Sequence, residues 1–346
     1  SHAASFASLV YASCWIKFHY PEVFLMGMLN SQPLGFYSAA QLIADARRNG
    51  VTVLPVDIKH SFWDSKLEKV SGSTSGKLAV RLAFREVNGV AKTEIEKFIE
   101  IFPDREFSSL EEIARQSIFS KKTLECLAKA DVFSCLGGTR SESLWEVRRI
   151  HKSGIAQMFL TKESKISELP IFSHKENILD DHKSMGFSLN GHILDGATPF
   201  ELADTSCSAN SILNNITSSN ALLSLANKSY VTVVGLVIVR QKPPTAKGNM
   251  FLTIEDSFGL MNIVVKNKIL ERYKHELRDA SILKISGVLQ NIRQPNNLSV
   301  VSIVADTVAD ITFSMYSQRD IEEISRNRRA MGMVEAEVSF VSKNFA

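Results

Sequence analysis

The sequence predicts a multidomain α+β chain, helical through its first part and ending in a small β-barrel. Three observations predict it. Capped helical patterns fill residues 1–48. An apolar-Gly-apolar turn joins two helical stretches within 78–101. Three strand runs, a helical run and two more strand runs follow one another across 230–304. At 346 residues the chain exceeds one typical domain, so two or three units are expected.

Residues 1–32 read as helix. Phe6, Leu9, Val10 and Ser13 share one face, and Ile16 and Lys17 continue the run. Pro21 suits the first turn of a second helix over 22–29, because its missing N–H is unpaired there anyway. Ser38 can cap a third helix that runs to Arg48 and stops at Gly50. Val51–Leu54 is a short strand ended by Pro55. The boundaries expected are 1–65, 75–140, 141–228, 229–312 and 313–346.

Within 75–140, Leu78–Glu86 is expected as helix, followed by the hairpin Val87-Asn88-Gly89-Val90 and a helix from Lys92 to Ile101. Further helices fit Leu110–Gln116 and Lys121–Ala130, with punctuation at Pro103, Asp104 and Gly137-Gly138. This is a helix-hairpin-helix pattern. Gly89 can take the left-handed backbone such a turn demands. The turn then aims backbone N–H groups and a helix N-terminus at a phosphate, and Lys92 adds a cation. Asn88, Gly89, Val90 and Lys92 are therefore candidate contacts to duplex DNA, which they would position without reading its sequence. The same pattern also suits an ordinary helical hairpin packed in a core.

Residues 141–228 are rich in Ser, Asn and His, and Ser208–Ser211 and Thr217–Asn220 look like loops. Glu168-Leu169-Pro170-Ile171-Phe172 stands out. An extended segment with a Leu and a final Ile-Phe pair can plug an apolar pocket on a partner, or serve as a buried loop anchor. Residues 313–346 read as a charged helical tail with an apolar end.

The barrel is read from strands at Val231–Val239, Met250–Ile254, Leu260–Val265, Ser281–Val288 and Leu298–Val304. A turn lies at Asp256–Gly259 and a helix at Lys268–Arg278. That order is an OB-fold, a barrel that often grips single-stranded nucleic acid. Net charge is only +3 and decides nothing, but residues 229–254 hold Arg240, Lys242 and Lys247 with no acid. If Leu252 and Ile254 face the core, Phe251 and Thr253 face out. Phe251 would stack on bases while Arg240, Lys242 and Lys247 follow the phosphates. Asn291, Arg293 and Gln294, expected on the loop between the last strands, would close the groove. The opposite register puts Phe251 in the core, and a basic loop alone also suits a solvated surface.

Cys14, Cys126, Cys135 and Cys207 lie far apart, with no Cys-x-x-Cys pair and no histidines at metal spacing. Reduced thiols in a cytoplasmic protein are expected, without a structural metal. No apolar run is long enough to span a bilayer and no signal peptide is seen. Asp180-Asp181 and Glu255-Asp256 read as structural carboxylates. The chain opens at Ser1 without a methionine, so it is expected to be part of something longer.

Three segments carry a resemblance. Ser1–Ala12 with Trp15-Ile16-Lys17 and His19-Tyr20-Pro21 is similar to the fingers region of C-family bacterial DNA polymerases, the group of the DNA polymerase III alpha subunit. Leu29–Tyr37 and Leu236–Gly248 resemble the error-prone branch of that family, and Val341–Phe345 is similar to its natural C-terminus. The resemblance implies a helical fingers segment, a tandem helix-hairpin-helix unit holding duplex, and a C-terminal OB barrel. It places Ser1, His2 and Lys17 near an incoming nucleotide. It places Glu168–Phe172 where the family often carries a sliding-clamp motif, although that motif normally opens with Gln. Contact with the clamp through an accessory mutagenesis protein is the alternative. The family hairpin usually shows a second glycine where this chain has Ala91.

In this family, palm carboxylates hold two metal ions, magnesium being expected, for phosphoryl transfer. Those residues would precede Ser1, so this chain is expected to bind no cofactor and not to polymerise alone. Two further readings stand beside it: a stand-alone, non-catalytic DNA-binding adaptor, and a tRNA-binding or synthetase-like OB protein, which explains the barrel but not the helical hairpins.

Overall fold

A computed structural model describes residues 3–34, 38–69, 78–152, 172–195, 216–246, 248–293 and 299–312. The expectations on Ser1, His2, Glu168, Leu169, Pro170, Ile171, Lys247, Gln294, Cys207 and the tail from 313 lie outside the described residues. Two compact units divide the chain at Asn190 and Gly191.

The first unit opens with α1 (Ala3–His19), α2 (Pro21–Asn30) and α3 (Ala39–Arg48). Ser38 and Gln41 close a capping box on α3, and Gly50 leaves it at φ 80°, as the pattern predicted. Leu25, Leu29, Ile43 and Ala46 are buried. In contrast, α1 has no buried residue, although Phe6, Leu9, Tyr11, Trp15 and Phe18 point to several sides of it.

A three-stranded sheet follows, β1 (Val53–Leu54), β2 (Lys66–Lys69) and β3 (Leu78–Arg81), in the order β1-β3-β2. Here the sequence reading of Leu78–Glu86 as helix is corrected. Leu78–Arg81 is the central strand, parallel to β1 and antiparallel to β2, and Phe84–Glu86 is a 3-10 turn. Ala79, Val80, Leu82, Ala83 and Phe84 are all fully buried. A short apolar run buried on both faces has no alternation to betray it, so period alone cannot separate strand from helix.

Three helices then contribute to one core: α4 (Lys92–Ile101), α5 (Leu110–Arg115) and α6 (Lys121–Lys129). Ser109 and Ser120 cap the last two. Two more helices lie where a linker was expected, α7 (Arg140–Lys152) and α8 (His174–Met185). Val147, Met185 and Phe187 complete a core built on Ile95, Phe98, Leu124 and Leu127. The sequence reading places no helix here, although both ends of α8 carry capping chemistry: Ser173 and Glu176 form a capping box, and Gly186 ends the helix at φ 81°.

The second unit is a closed barrel of β4 (Tyr230–Gln241), β5 (Met250–Glu255), β6 (Leu260–Val265), β7 (Ile282–Arg293) and β8 (Ser299–Asp310), ordered β4-β5-β6-β8-β7. The predicted order of elements is the observed one. β6 and β8 pair in parallel, and the other neighbours antiparallel. The expected single helix is two short ones, α9 (Asn267–Arg272) and α10 (Lys274–Asp279), broken at Tyr273. β7 and β8 run longer than predicted. Their ladder tightens at Gly287, where a Cβ would lie 2.1 Å from the Val304 carbonyl oxygen. Leu222 and the strand residues Val233, Ile254, Ile263, Ile285 and Ile303 fill the core.

Candidate nucleic-acid interfaces

In the first unit the hairpin is built around Gly89. Its φ of 80° is the left-handed backbone expected of it, and a Cβ there would meet Cys126 Sγ at 3.0 Å. Asn88 donates its backbone N–H to Ser184 O at 2.8 Å, so that group holds α8 rather than a ligand. Val90 packs against the core. Ala91 is the N-cap of α4 with φ −85° and ψ 123°, ordinary extended backbone, and no side chain caps this helix. The missing second glycine therefore costs no backbone strain.

The contrast with neighbouring helices is instructive. Ser109, Ser120 and Ser173 each accept a first-turn N–H of α5, α6 and α8, and Thr139 and Glu142 exchange bonds across the start of α7. The N-terminus of α4 carries no such plug, which leaves first-turn N–H groups for water or an anionic oxygen. Lys92 is exposed beside it and lies 3.5 Å from Glu96 in an i,i+4 pair. A second cation belongs here and was missed: Lys122 is exposed, and its Cε would stand 3.7 Å from a Cβ on Gly89. The available signal was a lysine pair, Lys121-Lys122, in the first turn of a helix, where the macrodipole disfavours positive charge.

In the second unit, the predicted register of β5 holds. Leu252 and Ile254 are buried and Phe251 is 39% exposed. Across β5 and β6 the outward row pairs Phe251 with Val264, Thr253 with Asn262 and Glu255 with Leu260. On the other side, Gln241 stands opposite Phe251 and Arg240 opposite the core residue Leu252. Arg240 therefore turns away from Phe251. Its Nε donates to Leu277 O at 2.8 Å and its Nη2 to Ala280 O, at the C-terminal end of α10. The expectation that Arg240 follows phosphates is corrected on that ground: the guanidinium is spent on helix-end carbonyls, its natural partners.

Lys242 is exposed at the start of the loop. The far end of that loop docks on α9: Asn249 Oδ1 accepts the Asn267 N–H at 3.2 Å, which sets exposed Lys266 and Lys268 beside it. Gln241, opposite Phe251, and Asn262, opposite Thr253, were not foreseen, since only cross-strand register sets them in this row. Asn291 and Arg293, expected on a loop, are strand residues of β7 opposite Val301 and Ser299. The Asn291 N–H is taken by Asn227 Oδ1.

The remaining candidates are placed as follows. Lys17 forms an ion pair with Asp45 of α3 at 2.7 Å. Phe172, the one described residue of the Glu168–Phe172 segment, is half-buried before α8 and lines a cleft of about 330 Å³ with Asp131, Arg140 and Asn177. Asp181 pairs with Arg140, and Asp256 is held by its own turn. Cys14, Cys126 and Cys135 are free thiols, and burial pushes Cys135 up to about 11.

Comparison with known proteins matches both modules. A family described as a helix-hairpin-helix motif covers residues 50–143, and one described as an OB-fold nucleic acid binding domain covers 231–310. An error-prone DNA polymerase of Sinorhizobium medicae is 36% identical over 96% of this chain and 31% of its own length. Those of Burkholderia pseudomallei and Brucella abortus are each 37% identical, over 84% and 90% of this chain and 26% and 28% of theirs. The chain is homologous to error-prone DNA polymerases. It spans about a third of the length of these curated relatives. Among solved structures, asparaginyl-tRNA synthetase of Pyrococcus horikoshii matches 28% of this chain and 23% of its own at 15% identity. Its TM-score of 0.24 is too slight to argue from.

Of the two matched modules, the second is described as a nucleic acid binding domain and the first as a helix-hairpin-helix motif. No helix among the described residues is long and apolar enough to cross a membrane.

Proposed function

We propose that this chain is the C-terminal DNA-binding portion of an error-prone DNA-directed DNA polymerase, used in damage-tolerant synthesis and repair in the cytoplasm. The hairpin at Gly89 grips duplex through the open N-terminus of α4, with Lys92 and Lys122 on the phosphates. The barrel holds unpaired template against Phe251. The observation that carries this reading is the presence, in order, of a helix-hairpin-helix and an OB module in a chain 36% identical to such a polymerase over 96% of its length.

Helix α1 supports the reading. A helix apolar on several sides is built to be covered by more protein, and α1 has no buried residue here. The carboxylates of Asp181 and Asp256 support it too, because each is held by structural neighbours. Asp181 is consumed by Arg140, Ser188 and Asn190, and Asp256 by Ser219, Phe258 and Gly259. Magnesium and the groups that hold it belong to the palm of the longer protein, outside these residues. The segment ending at Phe172 is proposed to meet a sliding clamp or an accessory mutagenesis protein.

A salt series on short single and double strands tests the binding. Affinity for both is expected to fall steeply with salt as phosphate contacts release counterions. A flat response for either form removes the module assigned to it. Primer extension by the chain alone is expected to yield no product; metal-dependent synthesis would overturn the division of labour.

A further inference from the structure

We propose that the turn between β5 and β6 is a second stacking platform, so that the outer face of the barrel takes a run of about four unpaired bases between Phe251 and Phe258. This rests on the reading of the barrel as a single-strand site. Phe258 is 60% exposed at the tip of the turn, and Leu260 at its base is 47% exposed. An exposed aromatic on a tip is unremarkable by itself. What sets this one apart is how firmly its turn is held.

One carboxylate fixes the turn from inside. Asp256 Oδ1 accepts the Phe258 and Gly259 N–H groups, each at 2.9 Å, and the Ser219 hydroxyl at 2.6 Å. Its Oδ2 accepts the Ser219 N–H at 2.7 Å. On the other side the Ser257 hydroxyl donates to Asp195 Oδ1. The Phe258 ring is thus displayed on a pre-organised loop, so ordering it on binding costs little entropy.

The spacing suits a strand. Phe251 and Glu255, at the foot of the turn, stand four steps apart along β5, about 13 Å at strand rise. That is about four bases at the 3.4 Å step of stacked nucleotides. Thr253 and Asn262, paired across β5 and β6, put hydrogen-bonding groups between the two rings. Exposed Lys242 follows Gln241, which stands opposite Phe251, and exposed Lys266 follows Val265, which stands opposite Met250. The single carboxylate of this outward row, Glu255, lies at the Phe258 end. Phosphates are therefore held by the lysines, and the turn offers a base-stacking face instead of charge.

Oligothymidines of three and eight nucleotides, titrated against the full chain and its variants at fixed salt, test this. Three nucleotides reach one platform and eight reach both. Phe258→Ala is expected to weaken the eight-mer about fivefold or more and leave the three-mer unchanged. Phe258→Tyr is expected to restore binding and Phe258→Leu, which keeps bulk without a π-face, to fail. Phe251→Ala is expected to weaken both lengths. If Phe258→Ala or Phe258→Leu binds the eight-mer like the parent while Phe251→Ala is impaired, the second platform is wrong and the barrel reading stands. If Phe251→Ala is also unimpaired at both lengths, the barrel reading falls and the platform with it. Equal melting temperatures of parent and variants confirm that contacts, not folding, were measured.

Discussion

Arg140 at the head of α7 and Asp181 in α8 meet at 2.5 Å, each side chain 3% exposed. Arg140 Nη1 also donates to Asn177 O at 3.0 Å, while Ser188 and Asn190 occupy the second oxygen of Asp181. The pair ties together two helices that the pattern of the chain left unread. Removing one partner leaves a buried charge uncompensated, which costs about 3–5 kcal/mol. Asp181→Ala is therefore expected to destabilise the first unit by that order. Replacing both residues with apolar ones of similar volume is expected to cost far less. Denaturant melts of the single and double variants decide it, and a double variant as unstable as the single one counts against the account.

Gly89 gives a second expectation. An L-residue at φ 80° pays about 1–2 kcal/mol, and the new Cβ presses on Cys126 Sγ at 3.0 Å. Gly89→Ala should destabilise the first unit by roughly that amount and weaken duplex binding. Ala91→Gly should leave duplex affinity nearly unchanged, since Ala91 already sits in ordinary extended backbone. A large gain from Ala91→Gly would show that the second glycine matters for more than conformation.

Lys122 tests the duplex surface without touching the turn. Its side chain runs beside Gly89, which shortly precedes α4, from a neighbouring helix. Lys122→Ala and Lys92→Ala are each expected to lower duplex affinity uniformly across sequences and reduce the salt slope by about one. An unchanged slope for Lys122→Ala would remove that residue from the surface.

Arg240 and Phe251 should separate stability from binding. Arg240→Ala strips two carbonyl partners from the end of α10, so it should lower the barrel's melting temperature. Phe251→Ala removes an exposed ring and should leave melting nearly unchanged while single-strand affinity falls by about 1–3 kcal/mol. The reverse pattern would mean that the basic residue, not the ring, meets the strand.

Glu86 predicts a pH dependence. It is 6% exposed, and burial lifts its carboxyl to about 7 against the opposing pull of Arg85. The folded first unit therefore holds a proton that the unfolded chain releases near 4.5. Its contribution is complete below 4.5 and is lost as pH rises towards and through 7, about 3 kcal/mol in all. Denaturation measured from pH 4.5 to 8 should show this decline, and Glu86→Gln should flatten it. Parallel curves for parent and variant would refute the assignment.

How far the chain could be read differs from element to element. Ser38, Pro21 and Gly50 mark helix ends by local chemistry, so α2 and α3 were legible. The alternation Phe251-Leu252-Thr253-Ile254 fixed which ring faces out, because strand period follows from backbone geometry alone. Gly89 declared its left-handed turn for the same reason. Local rules failed where neighbours decide: Leu78–Arg81 is a strand because β1 and β2 flank it. Arg240 lies in a basic loop by sequence, yet its guanidinium caps a helix 37 residues on. Lys122 reaches Gly89, and Lys266 the Phe251 loop, only through packing. Sequence alone determined periodicity, capping and turn conformation, which are set by a residue and its near neighbours. The tertiary structure alone decided which charges stay free for a ligand, because that depends on partners far along the chain.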